Sequence, residues 1–340
     1  MLNTSLISIK LIWVVGFLFS FIFFFIYAGF NLKDFLRFDT ITSLQFDDED
    51  YLIFPAVTLC LINRNNNSQL FEKSMISCYY DYKKCYITDF KEVEYSSIIR
   101  NDSFICSKFN GGERSLRTIN KPGKENGLII TLIAPDETDI IHFIGDNQVH
   151  PVISEFNSYF PGAIYFNNLE KQIIKRLPSP YNSCLKEHQY QSDDSIYIRK
   201  ILDQNQTYRS VNCMDLCSRE MRKEKGYCRS QCPYECDSID FINNERSCDT
   251  KNVRSEDLLA IQKSKIRGDF VTMSLDELRN KLTVINIYFK KISCTKSSQI
   301  AKIPLPVLIS NLGGLSGLFL ELSFVSGYRL FQFLTEILFI

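Results

Sequence analysis

The sequence predicts a membrane protein with two transmembrane helices and a disulfide-rich α+β ectodomain. Three observations carry that reading. A long apolar segment lies near each end of the chain. All twelve cysteines fall between Cys60 and Cys294, and the same interval holds short strand-like runs separated by turns.

The first apolar segment is Leu11–Phe30, LIWVVGFLFSFIFFFIYAGF, which has no charged residue. As a helix it rises about 30 Å, the thickness of a hydrocarbon core. A signal peptide has an apolar core of only about 7–15 residues and a small-residue cleavage site, and neither fits here, so the helix reads as retained. Ile303–Ile340 is the second segment. Two spans leave a short cytosolic N-terminus (1–10), an external region (31–302) and no cytosolic tail. Lys10 set against Lys33, Asp34 and Arg37 gives that orientation slight support.

The chain has 340 residues, 45% hydrophobic, with acidic and basic side chains in equal number, 39 each. It is therefore neither disordered nor basic, which argues against nucleic acid as a partner. An even number of cysteines confined to one interval reads as a disulfide framework in an oxidising compartment. Sequons at Asn66, Asn101 and Asn205 lie in the same interval, where glycosylation is expected, while Asn3 falls on the cytosolic side.

Along the ectodomain, FPAVTLCL (Phe54–Leu61) reads as a strand, with Pro55 at its start where no ladder donor is needed. NRNNNS (63–68) is a loop, and Cys78 and Cys85 stand close enough for a hairpin staple. KPGKENG (121–127) is a turn, followed by a buried strand, LIITLI (128–133). APDETD leads into the strand IIHFIG, and Pro161-Gly162 opens the strand AIYFNN. Ser255–Leu282 is the one convincing helical region, with Ser255 and Ser274 as N-caps ahead of acidic first turns. LTVINIYF (282–289) alternates and reads as a strand. Short strands followed by a helical stretch make an α+β domain large enough to bury a core, so the disulfides reinforce rather than replace one.

FPAVTLC (54–60), GKENGLIITL (123–132), PGAIYFNNLEKQIIKRLPSPYNSC (161–184), QCPYECDS (231–238) and ISNLGGLSGLFLELSF (309–324) occur in this order between the two apolar segments. Together they resemble the degenerin/epithelial sodium channel family, which includes the acid-sensing channels, in a divergent and short form. The resemblance implies a plasma-membrane, multi-pass protein with both termini cytosolic. It implies a homo- or hetero-trimer with related subunits in the lipid bilayer, a β-sheet palm, a reduced finger (about 61–105) and a thumb (about 184–248). It further implies an extracellularly gated, amiloride-sensitive cation channel carrying sodium ions, with no cofactor. The family's pairing implies the disulfides Cys60–Cys106, Cys78–Cys85, Cys184–Cys236, Cys213–Cys232 and Cys217–Cys228, with Cys248 and Cys294 unassigned. A His-Gly pair tied to gating in the family has no counterpart in the N-terminal segment.

Gly313 and Gly317 are spaced to let helices approach closely, and Gly314 adds to the small face. Around a three-fold axis, backbone carbonyls bared by small residues can replace an ion's hydration shell. The other reading of this spacing is plain packing in a membrane anchor. By the resemblance the selectivity filter, a Gly-x-Ser tripeptide in the family, falls on Glu321, Leu322 and Ser323, and an inner acidic position falls on Arg329. Only Ser323 matches. A glutamate here either forms a ring that alters selectivity or marks a subunit that does not conduct.

The acidic row Asp47, Asp48, Glu49 and Asp50 has two readings, a trap for protons or calcium through raised pKa values and a solvated loop. Phe38 and Tyr181 occupy positions where the family's aromatics touch and couple ectodomain to pore. Cys228, Cys232 and Cys236 with His188 offer zinc-like spacing, against which an oxidising compartment argues. His142, His150 and His188 are scattered, no catalytic motif or metal site is present, and an enzyme is not expected. Two alternatives remain beside a conducting channel: a non-conducting regulatory subunit, and a two-span receptor or adhesion protein.

Overall fold

A computed structural model describes residues 2–62, 70–97, 102–111, 116–135, 138–147, 149, 151–152, 155–186, 195–203, 207–221, 225–250, 256 and 273–320. The chain opens with α1 (Leu2–Leu36), β1 (Thr40–Asp48), β2 (Leu52–Ile53), β3 (Ala56–Ile62), α2 (Leu70–Ser74), β4 (Met75–Tyr80) and β5 (Lys83–Lys84). It continues with β6 (Phe90–Ser97), β7 (Asp102–Phe109), β8 (Thr118–Ile119), β9 (Leu128–Ile133), β10 (Asp139–Gly145), β11 (Asn157–Tyr159) and β12 (Ala163–Lys175). Then come α3 (Ile196–Asp203), α4 (Ser210–Met221), α5 (Lys225–Gln231), β13 (Asp237–Asp249), α6 (Leu275–Lys281), β14 (Leu282–Ala301) and α7 (Leu305–Leu320). One compact unit comprises Met1–Thr42, Ser179–Asn182 and Gln299–Ile340, and the other comprises Ser43–Pro178 and Ser183–Ser298.

The larger unit is built on two sheets. Among the described residues the first has seven strands in the order β13-β12-β14-β9-β4-β5, with β1 also on β14; the second has the order β11-β10-β3-β7-β6. β12 and β14 run parallel, while β13 on β12 and β9 on β14 are antiparallel. The ladder shifts between Leu169↔Phe289 and Lys171↔Cys294, so residues 290–293 stand against Glu170 alone, a bulge that turns β14.

Local chemistry explains the strand starts. β9 follows Gly127, where a Cβ would lie 2.1 Å from the Ile287 carbonyl oxygen, so only glycine fits. β12 follows Gly162, whose φ of 83° is left-handed and therefore suits glycine. Ser274 caps α6 by accepting a hydrogen bond from the Glu277 N–H.

One core joins both sheets. Leu128, Ile130 and Leu132 of β9 and Ile285, Ile287 and Phe289 of β14 are buried with Val57, Leu59, Phe109 and Ile140 of the second sheet. Phe54 sits at its centre, edge-on to Tyr80, Phe109 and Phe289 at 5.1, 6.2 and 6.0 Å. A second, smaller cluster holds Tyr197, Ile198, Ile201, Tyr208, Cys213, Cys217, Cys228 and Cys232 among α3, α4 and α5.

Three differences from the sequence reading stand out. Residues 237–248, assigned to the thumb, lie in a strand, β13, that is paired along its whole length with β12. Part of the expected finger, β4 and β5, pairs with β9 in the large sheet. The region expected to form the thumb contains helices, although only Ser255–Leu282 reads as helix, because α4 and α5 bury cystine instead of an apolar stripe. In that region α6 spans Leu275–Lys281, while Ser255 lies outside the described residues.

Phe289 touches Phe54 and Phe241 and is wholly buried. Phe289→Ala should cost about 3–5 kcal/mol of ectodomain stability and Phe289→Leu less, as read from thermal unfolding of the purified chain.

Candidate functional site

The smaller unit pairs the two apolar helices. Val15–Leu36 of α1 is long and apolar enough to cross a membrane. α7 is apolar over Leu305–Leu320, and its continuation is not described. Phe319 of α7 stacks on Phe23 and Tyr27 of α1 at 6.4 and 6.0 Å. Asn311 Nδ2 donates to Asn31 Oδ1 at 3.2 Å, and Asn31 Nδ2 donates to the Tyr27 carbonyl at 2.9 Å. Hydrogen bonds of this kind hold helices together in lipid. A Cβ added to Gly313 or Gly314 would meet nothing within 4 Å, and Gly317 is exposed. The glycine face therefore does not pack on α1. Glu321, Leu322, Ser323 and Arg329 lie outside the described residues.

Beyond α1 the chain turns through Phe38, whose φ is 53°, with the Phe38 N–H bonded to the Phe35 carbonyl. A positive φ is strained for phenylalanine. The Phe38 ring meets Tyr181 edge-on at 5.5 Å and 86°. Tyr181 ends the Ser179–Tyr181 turn, and Asn182 next to it donates to Gln299 Oε1 at 2.6 Å. The Lys302 N–H bonds the Asp39 carbonyl at 2.9 Å, and the Lys302 ammonium lies 3.5 Å from the Asp39 carboxylate. Three separate segments thus meet beside the ends of α1 and α7. The sequence reading singled out only the two aromatic rings here. Asn31 and Asn311 went unnoticed, although amides within apolar helices usually mark helix contacts.

In the larger unit the acidic row differs from the trap considered above. Asp47 accepts a hydrogen bond from Lys296 at 2.6 Å, which holds its carboxyl below the ordinary range and raises the lysine. Glu49 lies 4.0 Å from Lys171, and Asp48, Glu49, Asp50, Tyr51, Ile53 and Lys171 line an open cavity of about 420 Å³.

The structure joins Cys60 to Cys106, Cys78 to Cys85, Cys184 to Cys236, Cys213 to Cys232 and Cys217 to Cys228. Cys248 is free and exposed, and Cys294 is free and buried. Cys228, Cys232 and Cys236 therefore have no thiolate to offer zinc. Asn66, Asn101, Asn205, His150 and His188 lie outside the described residues.

A family model described as amiloride-sensitive sodium channel matches residues 2–75 and 218–333. The chain belongs to that family. It is accordingly an ion-channel chain of the epithelial sodium channel type, not an enzyme. No curated protein matches it. Among solved structures, a cryo-EM structure of a proton-activated chloride channel aligns over 96% of this chain and 98% of its own at 8% identity, with a TM-score of 0.42. A likeness at that score carries no functional weight.

For the channel chain, the Asn31–Asn311 contact predicts measurable coupling. In a double-mutant cycle of Asn31→Val and Asn311→Val, thermal unfolding in detergent should give a coupling of about 0.5–2 kcal/mol.

Proposed function

We propose that the chain is one subunit of a trimeric, amiloride-sensitive cation channel of the plasma membrane, carrying sodium and opened from outside. The observation that carries this reading is the family match, whose two separated segments contain α1 and the described part of α7. Helix geometry supports it. Asn311 and Phe319, eight residues apart and near one face, make the contacts to α1. At about 100° per residue, Gly313 stands roughly 160° and Gly317 roughly 120° from Asn311, both on the side of the helix away from Phe319. A second subunit's helix is the natural cover for that small-residue face, with Ser323 further along the same segment lining the pore.

The Phe38–Tyr181 contact is the coupling element in this reading. An external stimulus that moves the Ser179–Asn182 turn changes the support of the α1 end. Phe38→Ala should abolish gating while leaving surface expression unchanged. Patch-clamp recording with surface biotinylation tests this, and normal gating in the variant would remove the contact from the mechanism.

Glu321 favours a second reading, a subunit that regulates others without conducting. Three such carboxylates around one axis would repel unless protonated or bound to a cation. Whole-cell current from the expressed chain, with and without Glu321→Gly, separates the two. Amiloride-blocked sodium current from the unaltered chain establishes the conducting subunit. Current only after Glu321→Gly, or only with related subunits, establishes the regulatory one. A surface-expressed chain that does neither overturns both.

A further inference from the structure

His142 lies in β10 of the second sheet and is 1% exposed. Its ring stacks on Tyr159 of β11 at 3.7 Å with the planes 2° apart. Neither ring nitrogen makes a hydrogen bond of ordinary geometry, although the Asn157 backbone opposite on β11 is close enough to act on the ring. Nε2 lies 3.8 Å from the Glu245 carboxylate of β13, too far for a hydrogen bond and close enough for strong attraction once the ring is charged. Glu245 is only partly covered, its side chain 34% exposed. The group thus joins a strand of the second sheet to the edge strand of the first.

Its surroundings are polar but incompletely satisfied. Tyr159 Oη and Asn167 Nδ2 are buried near each other without a hydrogen bond of ordinary geometry, while Asn243 donates to Asn167 Oδ1 at 2.8 Å. Tyr159 packs on Tyr165 at 4.3 Å, and the Tyr165 hydroxyl is held by the Phe160 backbone. Among the described residues, Tyr159 and Glu245 face the imidazole, with Tyr165 packed behind Tyr159. On β3 the residue opposite His142 is Leu59, which carries no charge. A buried polar group without partners lowers the stability of the closed arrangement, and it can be retained where that arrangement must open.

We propose that His142, clamped between Tyr159 and Glu245, is an acid-operated latch that fastens the β10–β11 ribbon to β13. In the closed state the ring is neutral, because burial pushes its pKa down to about 4 against a weaker upward pull from the Asn157 backbone. In an opened state water reaches the ring and its pKa returns to the ordinary 6.5. Between those two values the opened state binds more protons, so falling pH favours opening. The opening constant rises about tenfold per pH unit, roughly 300-fold across the window. Burial raises the Glu245 carboxyl, so the closed state takes up a proton there and partly offsets the trend. The latch does not depend on which ion, if any, the chain conducts.

Hydrogen–deuterium exchange on the full-length chain in detergent tests it, with protection factors for residues 139–145 and 157–159 read from pH 7.5 to 4.5. They should hold above pH 6.5, then fall by up to tenfold per unit. His142→Phe, which keeps the stack but takes no proton, should flatten the response, and Glu245→Gln should steepen it. Flat protection in the unaltered chain, or the same fall in His142→Phe, overturns the proposal. The chain has three histidines, so ring NMR gives a second readout if His142→Phe fails to fold. The signal perturbed by Glu245→Gln should stay neutral to below pH 5 in the unaltered chain; titration near 6.5 overturns the latch.

Discussion

The parallel pairing of β12 with β14 is the constraint on which the ectodomain depends. Parallel neighbours cannot be joined by a tight turn, so the chain between them must be long. Here that connection contains α3, α4, α5, β13 and α6. The same pairing places β13 on the outer side of β12 and leaves the other side of β14 for β9. Ile285, Ile287 and Phe289 enter the core from β14, and Phe54 locks onto Phe289 from the segment before β3. Past the bulge opposite Glu170, Cys294 and Lys296 lie near β1, where Lys296 meets Asp47. Displacing this pair would disturb the core, the β13 edge and the acidic row together.

Elements whose sequence obeyed one strong local rule were legible. LIITLI is a continuous apolar run and is β9, covered on both edges. SLDELRNK has a serine cap and acidic first turn and is α6. β13 was not legible, because DSIDFINNERSCD offers few apolar residues to alternate. It is an edge strand with most of its residues exposed, so burial never imposed a pattern on it. The helices around α4 escaped for the opposite reason: cysteines at 213, 217, 228 and 232 occupy positions where an amphipathic helix would show leucine.

The site divides the same way. Phe38 and Tyr181 were found through resemblance alone, since neither position shows a local pattern. The left-handed turn at Phe38 lies where three chain segments converge, an arrangement no window of sequence contains. The acidic row was visible as a charge run, but its electrostatics were not. Lys296 is 249 positions away along the chain, and only the β1–β14 pairing brings it to Asp47. The buried His142 group was equally hidden, assembled from β10, β11 and β13.

An even number of cysteines does not fix the number of bridges. Cys248 lies opposite Ile164, and Cys294 lies opposite Lys171, on the other side of β12. Those reference points are 171 − 164 = 7 residues apart along one strand. At about 3.3 Å per residue the separation is about 23 Å, against the roughly 7 Å limit between Cα atoms for a disulfide. Register alone keeps these two thiols free. Cys213–Cys232 and Cys217–Cys228 fall where the core is thinnest. The helices α3, α4 and α5 have 8, 12 and 7 residues, too short to persist unaided, and their cluster draws half its buried members from cysteine. There the cross-links supply half of the core. In the two sheets, Cys60–Cys106 and Cys78–Cys85 join strands that already pair or a hairpin that already closes, so they add little beyond the ladder. Disulfides thus reinforce one part of this ectodomain and supply half the core of another, and the difference follows from how much apolar surface each part buries.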